Sequence, residues 1–219
     1  MPIIRKIEHK DGQQTAIWEI LEDEFTLLEI AGLNEKDKAA FSLLTNAGRR
    51  LEWLAVRALL KEYYSVCPSI SYNELGRPIL VGQVENISIS HSGKMVAIAL
   101  HSTKIPGIDI EMQHSRIFKI SSRFLSESEK EYLGPTPSVE QLTIVWGAKE
   151  VLFKIYEYGG VTFNEELIVS PFELSSSGTL RGSILKDNMI IPVPLEYMQI
   201  GDYMMVQTDY TQQRFEKNA

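Results

Sequence analysis

The sequence predicts an α+β protein in which one arrangement occurs twice, a long helix followed by antiparallel strands. Three observations predict it. Leu51, Leu54, Ala55, Ala58 and Leu59 recur at helical spacing within Arg49–Tyr64. A second long helical segment runs from about Ser138 to Tyr158 and stops at Gly159-Gly160. Thr162–Tyr210 alternates apolar and polar residues between turn signals, the pattern of antiparallel strands. The identity between the halves is too weak to establish an internal repeat.

The elements follow in order. Gln14–Ile20 reads as a strand, and Leu21–Ile30 has helical spacing with Gly32 as its stop. Asn34 caps a further helix whose first turn carries Asp37. Gly48 interrupts that pattern before the Arg49–Tyr64 helix, whose apolar stripe is core. Pro68, Ser69, Asn73, Gly76 and Pro78 punctuate a loop. Val84–Ser90 and Met95–His101 then form a hairpin through Ser92-Gly93-Lys94. Residues 102–106 mark the lobe boundary, giving an N-terminal lobe of residues 1–103 and a C-terminal lobe of residues 104–219. Gly107–Glu111 is a strand, His114–Leu125 a short helix, and Ser126 caps another beginning Glu127-Ser128-Glu129. The tail from Thr211 to Ala219 is polar and expected to fray.

Composition narrows the function. Among 219 residues, 22 Lys+Arg against 29 Asp+Glu give a net charge of −7, which disfavours a broad grip on nucleic acid. Cys67 is the single cysteine, so an intramolecular disulfide and a cysteine-rich zinc site are excluded. No segment is long and apolar enough to span a membrane, and the N-terminus lacks a signal core. The chain is therefore expected to be mature and cytoplasmic. Walker A, GxGxxG, HExxH and GxSxG patterns are absent.

Five features carry chemistry. In Gly107-Ile108-Asp109-Ile110-Glu111, strand alternation sets Asp109 and Glu111 on one face. That pair is either a solvated edge or an oxygen-only site for a hard ion such as Mg2+. On the long helix, Trp146, Glu150, Phe153 and Lys154 occupy neighbouring positions, with Gly147 as a break in helix propensity. Glu150 and Lys154 by themselves also fit a surface ion pair. Ser90 and His91 lie at a strand end before Gly93, suited to a phosphate or to a local turn bond. Arg49, Arg50 and Arg57 share a helix and offer a clamp for a polyanion or scattered surface charge. Arg116, Lys119 and Arg123 make a positive stripe beside an apolar one of Ile117, Ile120 and Phe124. The pair of stripes is either a docking surface for an acidic protein or a core face with solvated charges.

In sequence order these segments resemble a known family. Gly76-Arg77-Pro78, Ile89-Ser90-His91-Ser92-Gly93, Gly107-Ile108-Asp109-Ile110-Glu111, Phe124-Leu125-Ser126-Glu127-Ser128-Glu129 and Trp146-Gly147-Ala148-Lys149-Glu150 with Lys154 are similar to the motifs of the 4'-phosphopantetheinyl transferases of the larger, two-lobed type. The resemblance implies two pseudo-symmetric α+β lobes with the active site in the cleft between them. It implies transfer of the phosphopantetheine arm of coenzyme A to a serine of an apo carrier protein, with Mg2+ required and adenosine 3',5'-bisphosphate released. Asp109, Glu111 and Glu150 resemble the Mg2+ ligands, Glu150 also a base for the serine, and Lys154 the lysine that steadies the pyrophosphate. Ser90 and His91 fall where the family binds a coenzyme A phosphate. Gly76, Arg77 and Pro78 match the segment near the adenine, and Arg49, Arg50 and Arg57 lie in its basic helix. Arg116, Lys119 and Arg123, with Ile117, Ile120 and Phe124, are the expected docking surface for an acyl or peptidyl carrier protein. Ser88, Gly147 and Arg77 depart from the commoner residues at their positions without removing a metal ligand. Two other readings stand beside the transferase: a non-catalytic coenzyme A or carrier binder, and a Mg2+-dependent pyrophosphate hydrolase. A two-lobed chain of this kind is expected to be a monomer.

Overall fold

A computed structural model describes residues 3–156 and 158–210, so the expectation for the tail 211–219 lies outside the described residues. The chain divides into two units, Met1–Pro106 and Gly107–Ala219.

The first unit contains a six-stranded antiparallel sheet and three helices. Its elements are β1 (Ile3–Glu8), β2 (Gln14–Glu19), α1 (Glu24–Ala31), α2 (Glu35–Ser42), α3 (Ala47–Lys61), β3 (Ile70–Tyr72), β4 (Pro78–Leu80), β5 (Asn86–Ser92) and β6 (Met95–His101). The sheet order is β1-β2-β6-β5-β4-β3. Two strands thus precede the long helix, where the sequence suggested one. α3 starts one turn earlier than the stripe indicates, because the Asn46 side chain accepts the Arg49 N–H and places Gly48 inside the first turn. The core joins Trp18, Leu27, Leu54, Leu59, Ile98 and Leu100, so α1 and α3 cover one face of the sheet.

The second unit comprises β7 (Ile108–Met112), α4 (Ile117–Phe124), α5 (Glu127–Leu133), α6 (Val139–Ile155), β8 (Leu167–Val169), β9 (Ser177–Lys186), β10 (Met189–Ile200) and β11 (Tyr203–Thr208). Its strands run β7-β11-β10-β9-β8, all antiparallel, so β7 is an edge strand. The hairpin between β9 and β10 turns on Asp187 and Asn188, both at positive φ, a conformation these two residue types tolerate. α6 ends at Ile155, with Tyr156 as its C-cap, rather than at the glycine pair; at its start Ser138 Oγ accepts the Gln141 N–H and Gln141 Oε1 accepts the Ser138 N–H, a capping box.

α6 lies directly on its sheet because glycines leave room for it. A Cβ at Gly107 would come within 2.7 Å of Val151 Cγ1, and one at Gly182 within 2.8 Å of Leu152 Cδ2. At Gly147 it would sit 3.0 Å from Val206 Cγ2 and 3.4 Å from Asp109 Oδ2. The helix-interior glycine thus answers to a close approach between α6 and the strands that carry Val206 and Asp109.

Candidate active site

Register on the edge strand fixes the first two carboxylates. Asp109 pairs with Val206 and Glu111 with Met204. Val206 and Met204 belong to the core beneath α6, and directly opposed residues share a face, so both carboxylates project on the helix side of the sheet. Asp109 is buried and Glu111 half-buried.

α6 supplies the other two groups. Lys154 donates to Asp109 Oδ1 and to the Ile108 carbonyl oxygen, both at 2.8 Å. Glu150 lies one turn earlier on the same helix face. Burial first, then the negative charges of Asp109 and Glu111, push its carboxyl up to about 7 against the opposing pull of the Lys154 ammonium. The expected surface ion pair between Glu150 and Lys154 is thus replaced by a four-membered group in which Lys154 bonds Asp109.

Among the described residues, no three His, Cys, Asp or Glu side chains are already arranged to hold a metal ion. The chemistry of the donor set nevertheless fits a hard divalent cation. It offers only oxygen, it is net negative, and its most buried carboxylate already bonds a cation, the Lys154 ammonium. A divalent ion would compete with that ammonium for Asp109.

The segments flanking this group have structural work. Ser126 accepts from Glu129 N–H while Glu129 accepts from Ser126 N–H, closing a capping box on α5. Lys149 is fully buried against Glu129 at 2.6 Å. Burial pulls the Lys149 ammonium down, and Glu129 opposes that shift. Trp146 stacks on Phe163, which also meets Phe153, so an aromatic row borders Glu150 along α6.

In the first unit the structure separates the three arginines. Arg49, on the exposed side of α3, meets His91 Nε2 at 2.5 Å. Glu52 lies 3.2 Å from His91 Nδ1 and 3.5 Å from Arg49. Sequence reasoning missed Glu52, although its i,i+3 spacing from Arg49 was the available signal. Arg50 turns the other way. It makes paired 2.6 Å bonds to Glu24, donates to the Phe41 and Leu44 carbonyl oxygens and lies over the Phe41 ring. Arg57 is buried, 3.7 Å from Asp37 and stacked on Trp53. The structure therefore places Arg50 and Arg57 in internal contacts and brings only Arg49 beside His91. Ser90 is buried in the same strand. Gly76 occupies a turn at φ 77° in which Asn73 Oδ1 accepts the Leu75 and Arg77 N–H groups, and Pro78 opens β4.

The expected docking stripe is corrected in part. Arg116, Lys119 and Arg123 are exposed. Phe124, however, is 1% exposed, and Ile117 and Ile120 pack on the core. An eight-residue helix with its apolar face on α6 keeps those three side chains inward. Phe118 and Met112 are the apolar side chains this region presents to solvent.

A family model described as the 4'-phosphopantetheinyl transferase superfamily matches residues 106–196, which span Asp109, Glu111, Glu150 and Lys154. The chain is also similar to the 4'-phosphopantetheinyl transferase AcpT of Escherichia coli K12, with 29% identity over 139 residues, covering 59% of this chain and 68% of that protein. The AcpT of Salmonella typhimurium is 29% identical over 116 residues, covering 48% of this chain and 58% of the relative. No helix among the described residues is long and apolar enough to cross a membrane.

Proposed function

We propose that the chain is a 4'-phosphopantetheinyl transferase, a reading supported by its similarity to that superfamily over residues 106–196 and to AcpT, and that it moves the phosphopantetheine arm of coenzyme A onto a serine of an apo carrier protein in a Mg2+-dependent reaction. The observation that carries the reading is the convergence on Glu150. One carboxyl on α6 feels Asp109 and Glu111 from β7 and Lys154 from its own helix, and is held at about 7 by burial and those charges.

Asp109, Glu111 and Glu150 are the residues that would hold Mg2+. When bound, the ion neutralises charge on the pyrophosphate and on the oxygen that leaves. Glu150 takes the proton from the serine hydroxyl, directly or through a water. The serine oxygen bonds to the phosphorus next to the pantetheine. The bond from that phosphorus to the bridging oxygen breaks, and adenosine 3',5'-bisphosphate departs with the electron pair. Lys154 shifts from Asp109 to the pyrophosphate and supplies a proton to the leaving oxygen.

Arg49 and His91, with Ser90 behind them, are assigned to a phosphate of coenzyme A, and Glu52 holds the imidazole through Nδ1. Gly76, Arg77 and Pro78 are assigned to the neighbourhood of the adenine. Arg50 and Arg57 support this surface from beneath through Glu24 and Asp37. Arg116, Lys119 and Arg123, with Phe118 and Met112 as their apolar company, are assigned to docking of an acidic carrier. The lone, buried Cys67 suits a reducing cytoplasmic setting.

The test is the mass of an apo carrier after incubation with the protein, coenzyme A and Mg2+. Gain of the phosphopantetheine arm supports the transferase. Free phosphopantetheine with an unchanged carrier supports a hydrolase, and binding without turnover supports a scaffold.

A further inference from the structure

Lys149 precedes Glu150 and has no place in the reaction described above, yet it is 0% exposed and satisfied in three directions. Its ammonium donates to Glu129 Oε2 at 2.6 Å, to the Phe124 carbonyl oxygen at 2.6 Å and to the Phe163 carbonyl oxygen at 2.8 Å. Three N–H groups meet three acceptors, the full donor capacity of a lysine. Glu129, also 0% exposed, is held in turn by three donors. Oε2 accepts the Ser126 N–H as well as Lys149, and Oε1 accepts the Val169 N–H at 2.8 Å.

These bonds join α6 to the end of α4, the first turn of α5, the segment before β8 and the end of β8. On its opposite side α6 is seated by Gly147 against Val206 and Asp109. A helix clamped on both sides cannot roll. Residues 149 and 150 are about 100° apart on the helix, so anchoring one sets the direction of the other. With side chains reaching about 5 Å from the axis, a roll of about 20° would carry the Glu150 carboxylate about 2 Å sideways. Metal coordination tolerates only about 0.2 Å.

Stability alone does not explain the pair. Replacing a buried ion pair by apolar side chains of similar volume is often neutral or stabilising, so an apolar core would serve the fold as well. What the pair adds over apolar packing is direction, because each bond is angle-dependent.

We propose that the buried Glu129–Lys149 pair is a positioning device that fixes the azimuth of α6 and thereby aims Glu150 at the carboxylates of β7. The inference rests on the transferase reading, and adds two residues to the reaction that touch neither substrate nor metal.

The experiment uses the full chain and two variants, Lys149→Met and Glu129→Gln. Mn2+ affinity is measured by calorimetry without coenzyme A, and kcat and KM for coenzyme A are measured with an apo carrier; circular dichroism checks the fold. The expected result, the scale of outer residues that orient metal ligands, is a loss of about tenfold to a hundredfold in Mn2+ affinity and in kcat, with KM for coenzyme A within about threefold. If Lys149→Met does not fold, Glu129→Gln, which keeps the side-chain shape, decides by the same two readouts. Folded variants that bind Mn2+ and turn over like the parent would overturn the positioning role. A parent protein that neither binds Mn2+ nor modifies a carrier would instead sink the transferase reading.

Discussion

Glu150→Gln is expected to stabilise the metal-free protein at alkaline pH while it destroys transfer. Glu150 has an ordinary carboxyl value of 4.5 when unfolded and about 7 when folded, with burial the largest cause and Asp109 and Glu111 adding to it. At about 1.36 kcal/mol for each pH unit, ionised Glu150 costs the folded chain about 3 kcal/mol at pH 8. The sign follows from the raised value. Folding favours the protonated carboxyl, so this contribution is present below 4.5, is lost as pH rises through about 7, and stays lost above it. Because Glu150 retains some contact with solvent, about 1–2 kcal/mol is the expected gain for the neutral glutamine at pH 8, and less than about 1 kcal/mol at pH 5. The assay is urea denaturation of parent and variant in EDTA at both pH values, followed by signals from Trp146 in the second unit. Saturating Mg2+ should then stabilise the parent and leave the variant unchanged. A variant destabilised equally at both pH values would refute the picture of a carboxylate crowded by Asp109 and Glu111.

Four further outcomes are expected. Asp109→Asn removes the negative charge opposite Lys154 and one carboxylate of the group, and should lower transfer at least about a hundredfold with the circular dichroism spectrum intact, as read by carrier mass. Gly107→Ala places a methyl 2.7 Å from Val151 Cγ1 and 2.8 Å from Ile155 Cγ2, so a thermal melt should show a loss of about 1–3 kcal/mol. Arg57→Ala strands Asp37 in the core and should cost about 3 kcal/mol of stability by urea titration, rather than selectively raising KM for coenzyme A. Arg116→Glu with Lys119→Glu should raise KM for the carrier about tenfold and leave KM for coenzyme A unchanged; equal loss of both would remove the docking assignment.

The second unit was the more legible half. Its long helix was legible from about Ser138, with Trp146, Glu150, Phe153 and Lys154 at helical spacing, and the Gly107–Glu111 strand through alternation. The first unit hid β1, because Ile3–Glu8 is a charged edge strand with Arg5 and Lys6 where a buried strand would alternate. β3 and β4 are three residues each, set among turn residues, too short to show a period. Spacing put Arg50 and Arg57 on one face correctly, but it carries no sign for inside or outside. Glu24 and Asp37, which hold those arginines inward, come from other helices. Glu129 and Lys149 stood inside quoted motifs, yet their contact spans 20 residues of chain and no local pattern reveals it.

The most direct measurement is the anomalous scattering of Mn2+ in crystals grown with coenzyme A. One peak is expected, about 2.0–2.2 Å from carboxylate oxygens of Asp109, Glu111 and Glu150, with Lys154 withdrawn from Asp109. A peak bound elsewhere, or none at saturating Mn2+ with the Lys154–Asp109 bond intact, would contradict the claim that these side chains share a divalent ion.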